Sequence, residues 1–177
     1  GSGAKRHIAA LDELSALFIE KLNEGGTVTF SPRGVSMLPM LRAYGDEVTL
    51  TAPPAHLKRG MVALFVLKNE GGGHKYILHR LVRIKGEELI FCGDHHRECD
   101  PPVTRSAVIG VVSAYKSRGK KHSVKELPYR LYSLWMVLTT PCRRAALALQ
   151  NFTYKIWKKL KRSPQVGKKI RGVKRVV

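Results

Sequence analysis

The close rhythm of strand-like runs between Thr27 and Lys116 restricts the fold more than any other feature. Six runs rich in β-branched and aromatic residues follow one another there: TVTF, EVTLT, MVALFVL, KYILHRLVRI, EELIFCG and VIGVVSAY. Ser-Pro, Tyr-Gly-Asp, Ala-Pro-Pro, Gly-Gly-Gly, Lys-Gly and Asp-Pro-Pro separate them, and such clusters are turn signals. A parallel strand pair needs a crossover of about a dozen residues or more, usually a helix. These gaps leave no room for crossover helices, so the expected fold is mainly β, an antiparallel core over 27–116.

The flanks read differently. Residues 1–26 hold a cloning remnant, Gly-Ser-Gly, and then an amphipathic helix over 5–23. Ile8, Leu11, Leu14, Phe18 and Leu22 fall at helical spacing, and Gly25-Gly26 stops it. Residues 117–126 are polar and read as a hinge. Beyond it, 127–140 and 145–162 have helical patterns, with a break expected at Thr140-Pro141-Cys142 and the two arginines that follow. Residues 163–177 complete a basic helical extension and tail.

Charge divides the chain along the same line. The formal net charge is +19, yet the last acidic residue is Glu126, and 13 of the 32 Lys and Arg residues lie beyond it. Trp135, Phe152, Tyr154 and Trp157 are mixed with these cations. That combination suits an anionic membrane surface, and peripheral contact through 127–177 is the expected role. No helix-turn-helix or stacking platform is present, so no nucleic acid partner is expected. Three cysteines without framework spacing point to a reducing compartment. The longest apolar run, Leu131 to Cys142, falls short of the about 20 residues a membrane span needs. The expected location is cytoplasmic, peripheral at the inner membrane face.

One serine stands out. RGVSMLPML, residues 33–41, sets Ser36 in an apolar, turn-prone stretch. A serine hydroxyl becomes a nucleophile only when a base takes its proton and donors await the oxyanion. Gly34 and Pro39 suit an irregular turn that exposes Ser36 and aims backbone N–H groups at one point. Taken alone, the stretch fits a polar turn residue better than a nucleophile, because such serines are common.

The order of motifs shifts that balance. Ser36-Met37-x-Pro39 is followed by Gly45-Asp46, a hydrophobic strand after Gly60, His79-Arg80, Gly93-Asp94 and Val108-Ile109-Gly110-Val111-Val112. This succession, over about Phe30 to Tyr115, resembles the signal peptidase I family and its relatives, serine peptidases that include the self-cleaving SOS-type repressors. The resemblance implies a serine endopeptidase with Ser36 as nucleophile and His79 as general base, where the bacterial branch has lysine. Arg80 matches an arginine usual in the family. An imidazole, with an ordinary pKa of about 6.5, accepts a proton near neutrality, whereas a lysine must be strongly buried to do so.

Asp94 and Asp100 are the resemblance's two candidates for the carboxylate that orients His79. Asp100 is favoured, since the Gly-Asp aspartate more often holds its loop. Met37, Leu41 and Leu78 would wall the pocket for a small substrate residue; as plain core residues they need no such role. Gly34 departs from the hydroxyl many bacterial members place there, which leaves the oxyanion to the Ser36 N–H and a neighbouring amide. The repressor branch is not expected, because no Ala-Gly cleavage linker precedes Ser36. The substrate would be a peptide, leader or precursor protein, and the alternative is a catalytically degenerate β domain that binds a partner peptide or anionic surface.

Two competing signals remain. Cys92, His95, His96 and Cys99 are zinc-ligand types, but within eight residues they would have to come from one tight loop. No metal or organic cofactor is therefore expected. Lys75, four residues before His79 and so on the same strand face, is a fallback base.

Overall fold

In a computed structural model, residues 13, 15–68 and 73–161 are described, without the side chains of Arg144 and of residues 146–161. All six strand-like runs form strands: β1 (Val28–Phe30), β2 (Glu47–Thr51), β3 (Val62–Lys68), β4 (His74–Lys85), β5 (Glu88–Cys92) and β6 (Val108–Ser117). A seventh strand, β7 (Lys120–Ser123), follows. Every pairing is antiparallel, in the order β1-β2-β6-β3-β4-β5, with β7 on β6. The fold is thus a mainly antiparallel β-sheet with a helix at each end.

Two apolar clusters fill the sheet. Val48, Leu50, Val62, Leu64, Leu78 and Val112 belong to the larger, together with Met37, Met40 and Leu41 from the serine turn. Phe65, Leu81 and Phe91 lead the other, with Phe65 and Phe91 stacked at 4.3 Å. Strand residues alternate sides, which is how β3 and β4 supply both clusters.

Helix α1 (residues 15–23) buries Leu22 completely and lays Phe18 on Phe30, with ring centroids 5.8 Å apart. The Gly25 and Gly26 amides close it on the carbonyls of Leu22 and Lys21, the paired bonds of a Schellman cap. Ile8, Leu11 and Leu14, expected on the same stripe, lie outside the described residues, as does 163–177.

Two expectations are corrected. Residues 117–126 are no hinge: β6 runs through Ser117, a two-residue turn follows, and β7 returns with Ser117 opposite Lys120. Arg118 and Gly119 have φ of 53° and 78°, the left-handed pair that a tight hairpin demands. Polarity made this segment look like a linker, but an edge hairpin is polar for the same reason: it faces water.

Nor does the C-terminal helix break. Helix α2 spans Leu127–Lys161 with Pro141 inside it. Proline removes one backbone donor, and polar side chains surround that turn. Thr140 Oγ1 donates to the Met136 carbonyl at 2.8 Å, the Arg143 guanidinium donates to the same oxygen at 3.2 Å, and Thr139 Oγ1 reaches Trp135 O at 2.9 Å. The first turns of α2 also pack on the sheet, burying Tyr129, Ser133, Met136 and Val137. Among the described residues no helix is long and apolar enough to cross a membrane.

Candidate active site

The serine turn is fixed at both ends. Leu38 N–H bonds the Val35 carbonyl and Leu41 N–H the Met37 carbonyl. Just beyond, the fully buried Asp46 accepts from the Arg42 amide and guanidinium, the Ser117 hydroxyl and the Arg118 amide. Burial alone would raise this carboxyl, but those donors outweigh it and hold the group well below the usual carboxylate range. Asp46 thereby ties the serine turn to the β6–β7 hairpin. Ser36 itself is half-buried, and its carbonyl accepts the His95 N–H at 2.8 Å.

His79 and Arg80 are neighbours on β4 and serve different partners. His79 is buried, and its Nδ1 lies 2.6 Å from Asp100 Oδ2. Asp100 is positioned by its own amide, which donates to the Phe91 carbonyl at 2.8 Å. Arg80 is completely buried. It grips Asp94 through Nε–Oδ1 at 2.8 Å and Nη2–Oδ2 at 2.6 Å. Its remaining donors meet the Gly60 carbonyl and the hydroxyls of Tyr129 and Ser133. Tyr132 donates to Asp94 as well, at 2.8 Å. Burial disfavours the arginine's charge, yet the Asp94 carboxylate more than offsets this and holds its pKa above the ordinary value.

This arrangement removes Asp94 from the candidate catalytic set: both its oxygens are taken by Arg80, and it is a structural counter-ion rather than the partner of His79. Asp100 is the aspartate the structure brings to the imidazole.

Ser36, His79 and Asp100 line one cavity of about 420 Å³, together with Met37, Leu41 and Leu78. Met37, Leu41 and Leu78 are also members of the larger core cluster, so the same side chains fill the core and line the cavity. Lys75 lines the cavity too. The Ser36 hydroxyl makes no hydrogen bond to His79 among the described residues; the two groups are brought to one wall without being joined. Gly93 lies against both the Ser36 backbone and the His79 ring. A Cβ there would stand 2.7 Å from the Ser36 carbonyl oxygen and 3.0 Å from His79 Nε2. No side chain fits, which gives the Gly-Asp motif its glycine.

Sequence reasoning gave His96 only a metal-ligand reading. Its ring meets His79 edge-on, with centroids 5.3 Å apart, and it borders the cavity. Burial first, then the neighbouring His79, lowers its pKa. Tyr129, Tyr132 and Ser133, the cradle of Arg80, also went unread, because no local signal ties a helix to a strand arginine some 50 residues earlier.

Among the described residues, no group of three or more His, Cys, Asp or Glu side chains, the Cys-His-His-Cys loop included, is placed to hold a metal ion. Cys92 Sγ faces the carbonyls of Glu98 and His96 at 3.3 and 3.7 Å. Burial and its cross-strand neighbour Cys99 push the Cys92 thiol pKa up, Cys99 most of all. No family model, curated protein or solved structure matches this chain.

Proposed function

We propose that the chain is a serine endopeptidase in which Ser36 is the nucleophile, His79 the general base and Asp100 the carboxylate that orients the imidazole. The observation that carries this reading is the 2.6 Å contact between His79 Nδ1 and Asp100 Oδ2 on the wall of the cavity that Ser36 lines. A proton held on Nδ1 by the carboxylate leaves the Nε2 lone pair open. Nε2 is the nitrogen near Gly93 and the Ser36 backbone, the side from which a serine proton would arrive. The Ser36 hydroxyl is not bonded to Nε2 here, and catalytic hydrogen bonds often tighten only when substrate binds.

The chemistry runs in two halves. Ser36 Oγ attacks the scissile carbonyl as Nε2 takes its proton, and the imidazolium, stabilised by Asp100, gives that proton to the leaving amine. Water, deprotonated by Nε2, then opens the acyl-enzyme. The Ser36 amide, which donates to no backbone carbonyl among the described residues, is the nearest donor for the oxyanion. Met37, Leu41 and Leu78 confine the residue before the cut to a small side chain. The substrate class is a peptide, leader or precursor protein, met in the cytoplasm at the inner membrane face.

Peptide turnover and labelling by a serine-directed fluorophosphonate, each with Ser36→Ala and His79→Ala, test the reading. Both variants lose turnover nearly completely, because the pair acts as a unit. Wild-type-like hydrolysis by His79→Ala, with a dead Lys75→Ala, would move the base to Lys75. No wild-type turnover of any peptide, together with tight peptide binding, would leave a binding domain instead.

A further inference from the structure

Helix α2 is apolar on two opposite sides. One side of its first turns is used, since Tyr129, Met136 and Val137 are buried on the sheet. The other exposes Leu127, Leu131, Leu134, Trp135 and Leu138, between 54% and 65% each. Spacings of four, three and four make the leucines one line along the helix. Because the helix continues through Pro141 to Lys161, the same three-and-four rhythm runs on in the sequence with Ala145, Leu149, Phe152 and Ile156. The exposed leucines from Leu127 to Leu138 alone make a continuous row of about 17 Å, where a soluble surface ordinarily carries apolar residues singly.

Charge selects what covers it. From Leu127 onward the chain has 13 Lys or Arg and no acidic residue. A second copy would lay the same cations against its own, a repulsive arrangement. Nucleic acid would use the cations and leave the leucines in water. An anionic bilayer uses both: the leucine row enters the boundary between headgroups and acyl chains, and the lysines and arginines meet the phosphates. Trp135, an interface-preferring residue, stands in the row. The helix is not apolar enough to cross, so it lies flat.

We propose that the outer face of α2, centred on Leu131, Leu134 and Leu138, is an interfacial docking surface for anionic lipid. Docking also bears on the neighbouring site. Arg143 of this helix donates to the Asp94 carbonyl at 2.6 Å, and Tyr132 donates to the Asp94 carboxylate, so a helix on the bilayer holds the cavity beside it. The surface does not depend on what Ser36 does.

The test is co-sedimentation of the full chain with phosphatidylglycerol-containing vesicles and with pure phosphatidylcholine vesicles. Wild type pellets with the first and stays in solution with the second. Leu131→Ser, Leu134→Ser and Leu138→Ser combined, all at exposed positions and so compatible with the fold, lower the partition coefficient tenfold or more while the thermal midpoint is unchanged. Equal binding by the triple variant would reduce the interaction to charge alone and overturn the proposal. A wild-type dimer that the triple variant dissolves would also overturn it, as would tighter binding to RNA than to vesicles at matched salt.

Discussion

His79 and Arg80 are adjacent in β4, and Asp100 and Asp94 stand six residues apart in the loop after β5, yet the two pairs they form have opposite characters. Arg80 and Asp94 are closed. The guanidinium is fully buried, its donors are met by carboxylate, carbonyl and hydroxyls, and Tyr129 and Tyr132 cover it, with ring centroids 5.6 and 5.2 Å from its carbon. His79 and Asp100 are open. One imidazole nitrogen is held, and the other faces a cavity with a serine on its wall. A saturated buried ion pair fixes architecture; a half-saturated one on a cavity wall retains capacity for proton transfer. The contrast closes Asp94 within the architecture and leaves Asp100 at the cavity, where the proposed mechanism would use it.

The sharpest way to break that contrast is Asp100→Asn. On the proposed mechanism the amide cannot hold the catalytic tautomer, so kcat falls by about 10⁴-fold while KM changes little. The thermal midpoint stays near that of the wild type, and steady-state kinetics beside a melting curve read both. A variant that melts early with kcat preserved among folded molecules would make Asp100 structural and erase the distinction.

Asp94→Asn should do the reverse. Removing one partner of a buried pair strands the other charge and costs about 3–5 kcal/mol, measurable by urea unfolding. Hydrolysis then declines only with the folded fraction. Undiminished stability would show that the Arg80 cradle does not hold the helix to the sheet.

The smallest effect belongs to His96. Its pKa is lowered by burial and by His79, Asp100 opposing, with His95 and Lys75 adding to the lowering. The folded state thus binds this proton less readily than the unfolded chain. His96 therefore costs stability as pH falls below its ordinary value of 6.5 and has no effect well above it. His96→Gln should flatten the fall in unfolding free energy as the pH drops below 6.5, leaving stability at pH 8 unchanged. An equal slope in both proteins would remove His96 as a source of acid sensitivity.

Much of this molecule was legible as local pattern. Runs of β-branched and aromatic residues between turn residues marked six strands, because such side chains suit a pleated, half-buried surface. Gly34 and Pro39 marked the turn at Ser36, and the double glycine marked the end of α1. Sequence nominated His79 with two aspartates only through an order of motifs that resembles a serine peptidase family. It favoured Asp100 over Asp94 only on the habit of the Gly-Asp motif: six residues of loop let either reach β4, and the strand register put His79 beside one and Arg80 beside the other. It misplaced the hinge and the helix break for a related reason. A polar segment reads alike as linker or edge hairpin, and Pro141 reads as a stop. Pairing across the sheet and the side chains around the Pro141 turn decide these outcomes, and they come from residues distant in sequence or from a packed helix that local propensity does not count. Composition fixed what the chain could bury and which groups could do chemistry; packing decided which aspartate was spent on structure and which was left at the cavity.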